Sequence, residues 1–145
     1  MNYTLSELKI LINKISNKLK IGNVIYLIGE LGVGKTAITK ILIQNLFKKY
    51  KKKEPIVTSP TFNIVQYYLI NKQLIIAHYD LYRLKKSSDI DNIGLYDLED
   101  KVISIIEWPE LIKKKNKNRI EIKLNYTKKD NERNVSIKYF GSTKR

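Results

Sequence analysis

The stretch "YLIGELGVGKTAIT", residues 26–39, brings together the residue types that bind phosphate. Gly29, four further residues, Gly34, Lys35 and Thr36 satisfy the pattern G-x-x-x-x-G-K-[ST]. In such a loop the backbone N–H groups point at phosphate oxygens, the lysine reaches the outer phosphates, and the hydroxyl is a ligand for Mg²⁺. The pattern therefore predicts nucleotide binding. A glycine-rich turn between a core strand and a core helix, the alternative, needs neither the lysine nor the hydroxyl.

The segments on both sides give this loop a strand–loop–helix context. Residues 24–28 are uniformly apolar and predict a buried strand. Beyond the loop, apolar residues recur with a helical period, so we predict a helix that begins at or just after Lys35. The predicted nucleotide-binding residues of the loop and helix start are Gly29, Glu30, Leu31, Gly32, Val33, Gly34, Lys35, Thr36 and Ala37.

Two carboxylates follow apolar runs further along the chain. Glu107 ends the run 102–106, and Asp80 follows the run 74–79. Open α/β sheets bind ligands at the carboxyl ends of their strands, so both side chains are expected near the loop. Phosphoryl transfer needs metal ligands and a group that orients the attacking atom. Either carboxylate is able to hold Mg²⁺ while the other orients water; a helix cap or a surface charge is the alternative for each.

The rest of the chain predicts the elements that position these groups. An N-terminal amphipathic helix opens with a capping box from Thr4 to Glu7. The other predicted elements are a strand at 55–58, a hairpin at 63–70 and 73–81, a helical stretch at 87–101, a strand at 102–108, a helical turn from Pro109, and an antiparallel pair at 119–124 and 134–140. Their order predicts a three-layer α/β fold with a mixed central sheet.

Two interpretations fit the net positive charge of the chain. The chain has 28 lysines and arginines against 14 acidic residues, a net charge of +14, with lysine runs at 48–53 and 113–117. Such runs are typical of surfaces that bind nucleic acid, and equally of solvated helix ends. Only four of the basic residues are arginine, which base recognition favours, and abundant lysine, isoleucine and asparagine indicate A/T-rich codons. Direct RNA binding and a solvated surface both stay open.

Other classes of protein are excluded or disfavoured. The absence of cysteine excludes disulfides, thiolate metal sites and a cysteine nucleophile. No apolar run approaches the roughly 18 residues of a membrane span, and the N-terminal segment lacks the basic start and cleavage site of a signal peptide. We therefore expect a soluble, cytoplasmic protein in which residues 1–145 form one domain.

Four motifs together carry a family resemblance. "GELGVGKT", "SPTFNIV", "HYDLYRL" and "IEWPE", in this order, resemble the TsaE (YjeE) family, the small ATPases of bacterial threonylcarbamoyladenosine (t6A) tRNA modification. The resemblance covers essentially the whole chain from about Thr4. It implies a P-loop NTPase fold, binding of ATP and Mg²⁺, and ATP hydrolysis that supports a TsaB–TsaD complex. That complex transfers a threonylcarbamoyl group to adenosine next to the anticodon, so tRNA is at least an indirect partner.

The resemblance also implies roles for single residues. Lys35 binds the phosphates, and Thr36 and Glu107 are metal ligands. Asp80 is the catalytic carboxylate or lies beside the metal. Thr61 of "SPTF" occupies a position like that of a switch loop, where a hydroxyl senses the third phosphate.

Contacts with the nucleotide base are implied near the N-terminal helix and the last hairpin. Thr4 and Arg133 are the candidates there. Trp108, the sole tryptophan, covers the nucleotide site, meets a partner or fills the core. Ala37 departs from the second hydroxyl that the family more often has after the threonine.

Two further side chains stay open between functional and structural roles. His78, the sole histidine, either hydrogen-bonds a neighbour of the site or packs at a strand end. Arg83 forms an ion pair with Asp80, the preferred interpretation, or stabilises phosphate charge. Tyr79 and Tyr82 are predicted to contribute to packing.

Two other functions compete with the ATPase. A small nucleoside or metabolite kinase uses the same loop, but it needs an acceptor pocket and usually a lid with arginines, whereas residues 84–100 supply acids. A nucleic-acid-binding switch rests on the lysine runs alone.

Overall fold

The buried apolar runs of the sequence become the central strands of one mixed sheet. The computed structural model describes residues 1–60 and 62–144. The elements in chain order are β1 (Asn2–Thr4), α1 (Leu5–Lys18), β2 (Val24–Ile28), α2 (Lys35–Lys49), β3 (Val65–Leu69), β4 (Ile75–Asp80), α3 (Ser88–Asn92), α4 (Leu95–Leu98), β5 (Ile103–Glu107), β6 (Arg119–Tyr126) and β7 (Glu132–Tyr139). Short 3₁₀ turns follow at Pro109–Leu111 and Gly141–Lys144.

The order of strands across the sheet is β1-β7-β6-β2-β5-β4-β3. The four inner strands β6, β2, β5 and β4 are parallel, and antiparallel strands close both sides. Parallel strands covered on both faces read as nearly continuous apolar runs, which is why β2 is apolar throughout and β5 is apolar except for the buried Ser104 and the terminal Glu107. The register pairs Leu27 and Asp80 with Glu107 on β5, so these strands end together. We call this side of the sheet the carboxyl edge and the opposite side the amino edge.

Helices cover both faces of the sheet. On β2, Ile25 and Leu27 pack into a core with α1 and α2, while Val24 and Tyr26 pack into a second core with α3 and α4. Successive side chains of a strand point to opposite faces, so one strand supplies both cores. The predicted three-layer α/β fold with a mixed sheet is confirmed.

Most predicted elements are present, with three differences. Residues 55–58 form no strand, since Pro55 lacks an N–H donor and Ile56 is 88% exposed. The stretch 87–101 splits into α3 and α4 because Gly94 adopts φ +72°. The short strand β1 carries no sequence signal. The capping box of Thr4 and Glu7 is present at the start of α1.

The lengths and compositions of the helices also test the expectation that the chain has no membrane span. No helix within residues 1–60 and 62–144 combines the length and the apolar character that a membrane crossing requires.

Candidate nucleotide site

The loop between β2 and α2 is shaped for close approach of its backbone to an anion. Gly34 has φ +125°, a conformation that side chains rarely adopt, and it immediately precedes α2. A Cβ at Gly29 would lie 2.7 Å from Val33 Cγ1 and 2.8 Å from the carbonyl oxygen of Leu124. No side chain caps α2, so the first N–H groups of the helix are available to a ligand.

Lys35 places a cation at this loop. Its side chain is 4% exposed, and Nζ donates to the carbonyl oxygens of Gly29 at 2.6 Å and Glu30 at 2.8 Å. Burial lowers the pKa of Lys35, and the carboxylate of Glu107 opposes that shift. An ammonium group has three donors, so one stays available to a phosphate oxygen.

Thr36, Glu107 and His78 form a connected set of hydrogen bonds. Thr36 Oγ1 donates to Glu107 Oε1 at 2.9 Å, and His78 Nε2 lies 2.6 Å from Glu107 Oε2. His78 and Glu107 are both buried. A carboxylate accepts hydrogen bonds, so this geometry assigns the proton of a neutral His78 to Nε2; Nδ1 has no partner among the described residues. His78 thereby fixes one oxygen of Glu107 and leaves the other facing Thr36.

The oxygens of Thr36 and Glu107 fit a magnesium ion held jointly with phosphates. Mg²⁺ takes oxygen ligands, keeps several waters, and usually binds one or two protein groups together with the phosphates of its nucleotide. No group of three or more histidine, cysteine or acidic side chains in the described part of the chain forms a metal cage. A hydroxyl and one carboxylate side by side at a phosphate loop are the donor set that such a shared site needs.

Asp80 ends the strand next to that of Glu107 and is held by its own neighbours. The backbone N–H of Tyr82 donates to Asp80 Oδ1 at 3.1 Å, and Ser59 Oγ lies 3.5 Å from Oδ2. Burial raises the pKa of Asp80, and the hydrogen bond from Tyr82 opposes the shift. The carboxylate is thus oriented but still faces open space.

Aromatic side chains cover the lysine. Lys35 Nζ lies 4.0 Å from the centroid of the Trp108 ring, which is a cation–π contact. Tyr82 is 56% exposed and its ring centroid lies 4.9 Å from that of Trp108. Trp108 has φ +59°, which turns the chain sharply directly after β5. Trp108 therefore lies over the site and also packs against the edge of the second core. Tyr79 is fully buried as predicted, whereas Tyr82 is half-exposed and packs its ring on Trp108.

One cavity of about 410 Å³ joins these groups at the carboxyl edge. The predicted residues in its wall are Leu31, Gly32, Gly34, Lys35, Thr36, Ala37, Asp80, Glu107 and Trp108. Ser59, Tyr82 and Arg83 complete the wall. Sequence reasoning did not propose Ser59 or Tyr82 for the site; the hydroxyl of Ser59 within "SPTF" was the available signal.

Arg83 differs from its preferred interpretation. Among the described residues it forms no ion pair with Asp80, and its guanidinium lies 4.6 Å from the centroid of the Phe62 ring. Arg83 lines the cavity, which keeps the alternative role toward phosphate open. Thr61, the switch candidate, lies outside the described residues.

A second cavity of about 340 Å³ adjoins the loop and shares Gly32, Gly34 and Ala37 with the first. Arg133 lines it and donates from Nε to the carbonyl oxygen of Val33 at 2.9 Å. Thr4 is not in its wall, although its neighbours Tyr3 and Leu5 are, and its hydroxyl caps α1. The structure brings Arg133, but not the Thr4 side chain, to the place expected for the base.

Comparisons with known proteins identify the family and the fold that this chain resembles. The family model described as "Threonylcarbamoyl adenosine biosynthesis protein TsaE" matches residues 3–135. Two relatives are named tRNA threonylcarbamoyladenosine biosynthesis protein TsaE. The one from Rickettsia felis is 36% identical over 107 residues, 74% of this chain and 60% of that protein. The one from Borreliella burgdorferi is 39% identical over 98 residues, 64% of each chain.

A solved structure shows the same fold. Bacillus subtilis YdiB superposes with a TM-score of 0.65 at 22% identity, over 97% of this chain and 84% of that chain. The region matched to this chain spans about 60% of the length of the Rickettsia felis protein.

Proposed function

This chain belongs to the TsaE family, and from that premise we propose that it binds ATP with Mg²⁺ and hydrolyses the ATP in support of tRNA threonylcarbamoyladenosine formation. One observation carries the proposal. Lys35, Thr36, Glu107 and Asp80, which come from three separate parts of the sequence, line the same cavity at the phosphate loop. A glycine-rich turn with a purely structural role does not require this convergence.

Binding is assigned to the loop and the start of α2. The backbone N–H groups around Gly32 and Gly34 and the helix N-terminus hold the phosphates, and Lys35 neutralises the outer ones. Thr36 and Glu107 hold Mg²⁺, which neutralises charge on the phosphates. The second cavity with Arg133 has room for the nucleoside.

Hydrolysis is assigned to Asp80. Its hydrogen bonds to Tyr82 and Ser59 restrict its orientation, as a group that positions an attacking water must be restricted. Burial raises the pKa of Asp80, which makes its carboxylate a stronger proton acceptor. Arg83 in the cavity wall is available to the charge on the phosphates.

Partner proteins complete the nucleotide site in the proposed function. Leu31, Phe62 and Tyr82 are large, exposed side chains near the cavity, at 67%, 81% and 56%. Exposed apolar side chains around an open site favour a protein that docks there and excludes water. We assign that place to a TsaB–TsaD complex in the cytoplasm, and we expect slow hydrolysis without it and faster hydrolysis with it.

Product analysis tests the proposal against its rivals. The purified chain is incubated with ATP and Mg²⁺, with and without TsaB–TsaD and unmodified tRNA, and the fate of the third phosphate is followed. Equal amounts of ADP and free phosphate, accelerated by the partners, are expected. A phosphorylated acceptor in place of free phosphate would make this chain a kinase. Rapid hydrolysis that partners do not change would remove the proposed dependence on the complex.

A further inference from the structure

The amino edge of the sheet carries a concentration of lysines that the nucleotide site does not use. α2 starts at the phosphate loop and its 15 residues span about 22 Å, so it ends far from the nucleotide. α1 ends beside it, and Lys49 Nζ donates to the carbonyl oxygen of Asn17 at 2.8 Å. The turn between β3 and β4 meets both helix ends around one groove of about 490 Å³.

Six exposed lysines belong to these helix ends and turns, and we call them the basic rim: Lys18, Lys20, Lys49, Lys51, Lys52 and Lys72. None of the six is in an ion pair with a carboxylate of the described residues. The neighbouring Glu54 is paired with Lys48 at 3.3 Å. Codon bias supplies lysines, but it does not explain why these six lie at one edge of the sheet without carboxylate partners among the described residues, with Lys20 and Lys49 in the wall of the groove.

The groove between the lysines has the other features that a nucleic acid uses. Lys20 and Lys49 line it together with Tyr50, Ile21 and Gln73. Tyr50 is 40% exposed and offers a ring on which a base can stack, and Gln73 offers an exposed amide for a base edge. Unlike arginine, lysine contacts phosphate as a point charge and carries little sequence information. The chemistry therefore fits a polynucleotide backbone of no particular sequence.

We propose that the basic rim binds the phosphate backbone of tRNA directly, on the edge of the sheet opposite to ATP. The choice of tRNA among polynucleotides rests on the proposed function. A membrane surface is less well matched, because the groove lies at helix ends and presents no long apolar helix face. Binding here leaves the carboxyl edge free for nucleotide and protein partners.

The test compares two double variants with the same change of charge. Lys51→Glu with Lys52→Glu alters the basic rim, and Lys128→Glu with Lys129→Glu alters the exposed turn between β6 and β7. Affinity for an unmodified tRNA transcript is measured by fluorescence anisotropy across a range of salt concentrations. The rim variant should lose about tenfold in affinity. Each phosphate contact contributes about 0.7–0.9 to the slope of log affinity against log salt, so the slope should become shallower by the amount that one to two contacts contribute. The control should lose less than about threefold.

A second pair of variants tests the aromatic contact. Tyr50→Ala removes the ring and Tyr50→Phe keeps it, so only the first should weaken tRNA binding, by several fold. Equal losses in the rim variant and the control would show attraction to net charge alone and would overturn the proposal. Absence of tRNA binding at low salt would also overturn it. So would selective loss of binding to phosphatidylserine vesicles, or to TsaB–TsaD, with tRNA affinity intact.

ATP hydrolysis is measured on the same variants. The proposal expects it to be unchanged in all four, because none of these residues lines the nucleotide cavity. Failure of tRNA binding with normal hydrolysis would refute the basic rim and leave the ATPase in place. Absence of hydrolysis in the unaltered chain with its partners would refute the ATPase and leave the tRNA affinity to be judged separately.

Discussion

The two edges of the sheet use charge in opposite ways. At the carboxyl edge the charged groups are few, and Lys35 and Glu107 are almost fully buried, each held by at least two hydrogen bonds. At the amino edge the six lysines of the basic rim are exposed and have no carboxylate partner among the described residues.

This difference sets what each edge can do. Buried, oriented charges place single atoms and interact strongly, so one substitution should remove a function outright. Exposed lysines are screened by salt and act additively, so each contributes little and several are needed. Single substitutions at the carboxyl edge should therefore have larger effects than single substitutions at the amino edge.

The largest effect is expected at Lys35. Lys35→Ala should weaken ATP binding or turnover by about 100-fold or more, because it removes the cation nearest the phosphates. The fold should survive, since burial already lowers the pKa of Lys35 and a neutral side chain avoids that desolvation cost. ATP affinity, single-turnover hydrolysis and the thermal unfolding midpoint check these points. An unfolded Lys35→Ala at ordinary temperature would mean that the lysine is structural.

The two carboxylates should separate binding from hydrolysis. Asp80→Asn should keep ATP bound and lose hydrolysis by about 100-fold or more, as removal of a general base does. Glu107→Gln should instead weaken the Mg²⁺ dependence of ATP binding, because it removes the charge beside Thr36. ATP affinity with and without Mg²⁺, beside single-turnover hydrolysis, distinguishes the variants. Exchanged phenotypes would exchange the two roles, and normal turnover in both would remove these residues from the site.

A smaller effect is expected at His78, which acts through Glu107. His78→Phe should raise the Mg²⁺ concentration needed for ATP binding by about tenfold, because partners behind a metal ligand typically contribute 10- to 100-fold. It should also cost about 1–3 kcal/mol of stability, since Glu107 loses a buried hydrogen bond. His78→Gln keeps a donor and should restore part of the Mg²⁺ response. A loss of stability with an unchanged Mg²⁺ requirement would leave His78 as a packing residue only.

The sequence predicted the parts of the site that local pattern and strand order determine. The loop, the start of α2 at Lys35 and the position of Glu107 at the end of β5 follow from spacing and from parallel strands that end together. The pairing of His78 with Glu107 depends on the register between β4 and β5, which no single segment specifies. The cover formed by Trp108 depends on its left-handed backbone, for which a tryptophan gives no signal.

The same distinction explains the errors in the fold. Residues 55–58 look like a strand locally, but the sheet ends at β3 and gives them no partner. β1 is only three residues long and exists because β7 offers it an edge. The tendency of a segment to form a strand depends on its own residues, whereas its pairing in a sheet depends on the segments beside it.

The smallest effect is expected for a single lysine of the basic rim. Lys52→Ala should lower tRNA affinity by less than about threefold and leave ATP hydrolysis unchanged, because one exposed charge contributes at most about one phosphate contact. Salt-dependent anisotropy with an unmodified tRNA transcript measures it. A loss as large as that of Lys51→Glu with Lys52→Glu would mean that the rim, too, depends on one fixed atom, and the contrast between the edges would fail.

A calorimetric titration of the purified chain with ATP tests the central claim most directly. With Mg²⁺ present, we expect saturable binding at one site per chain, weakened about 100-fold or more in Lys35→Ala. Without Mg²⁺, the unaltered chain should bind ATP more weakly, and Glu107→Gln should respond much less to the metal. If the unaltered chain binds no ATP, or if Lys35→Ala binds it equally well, the carboxyl edge is not the nucleotide site.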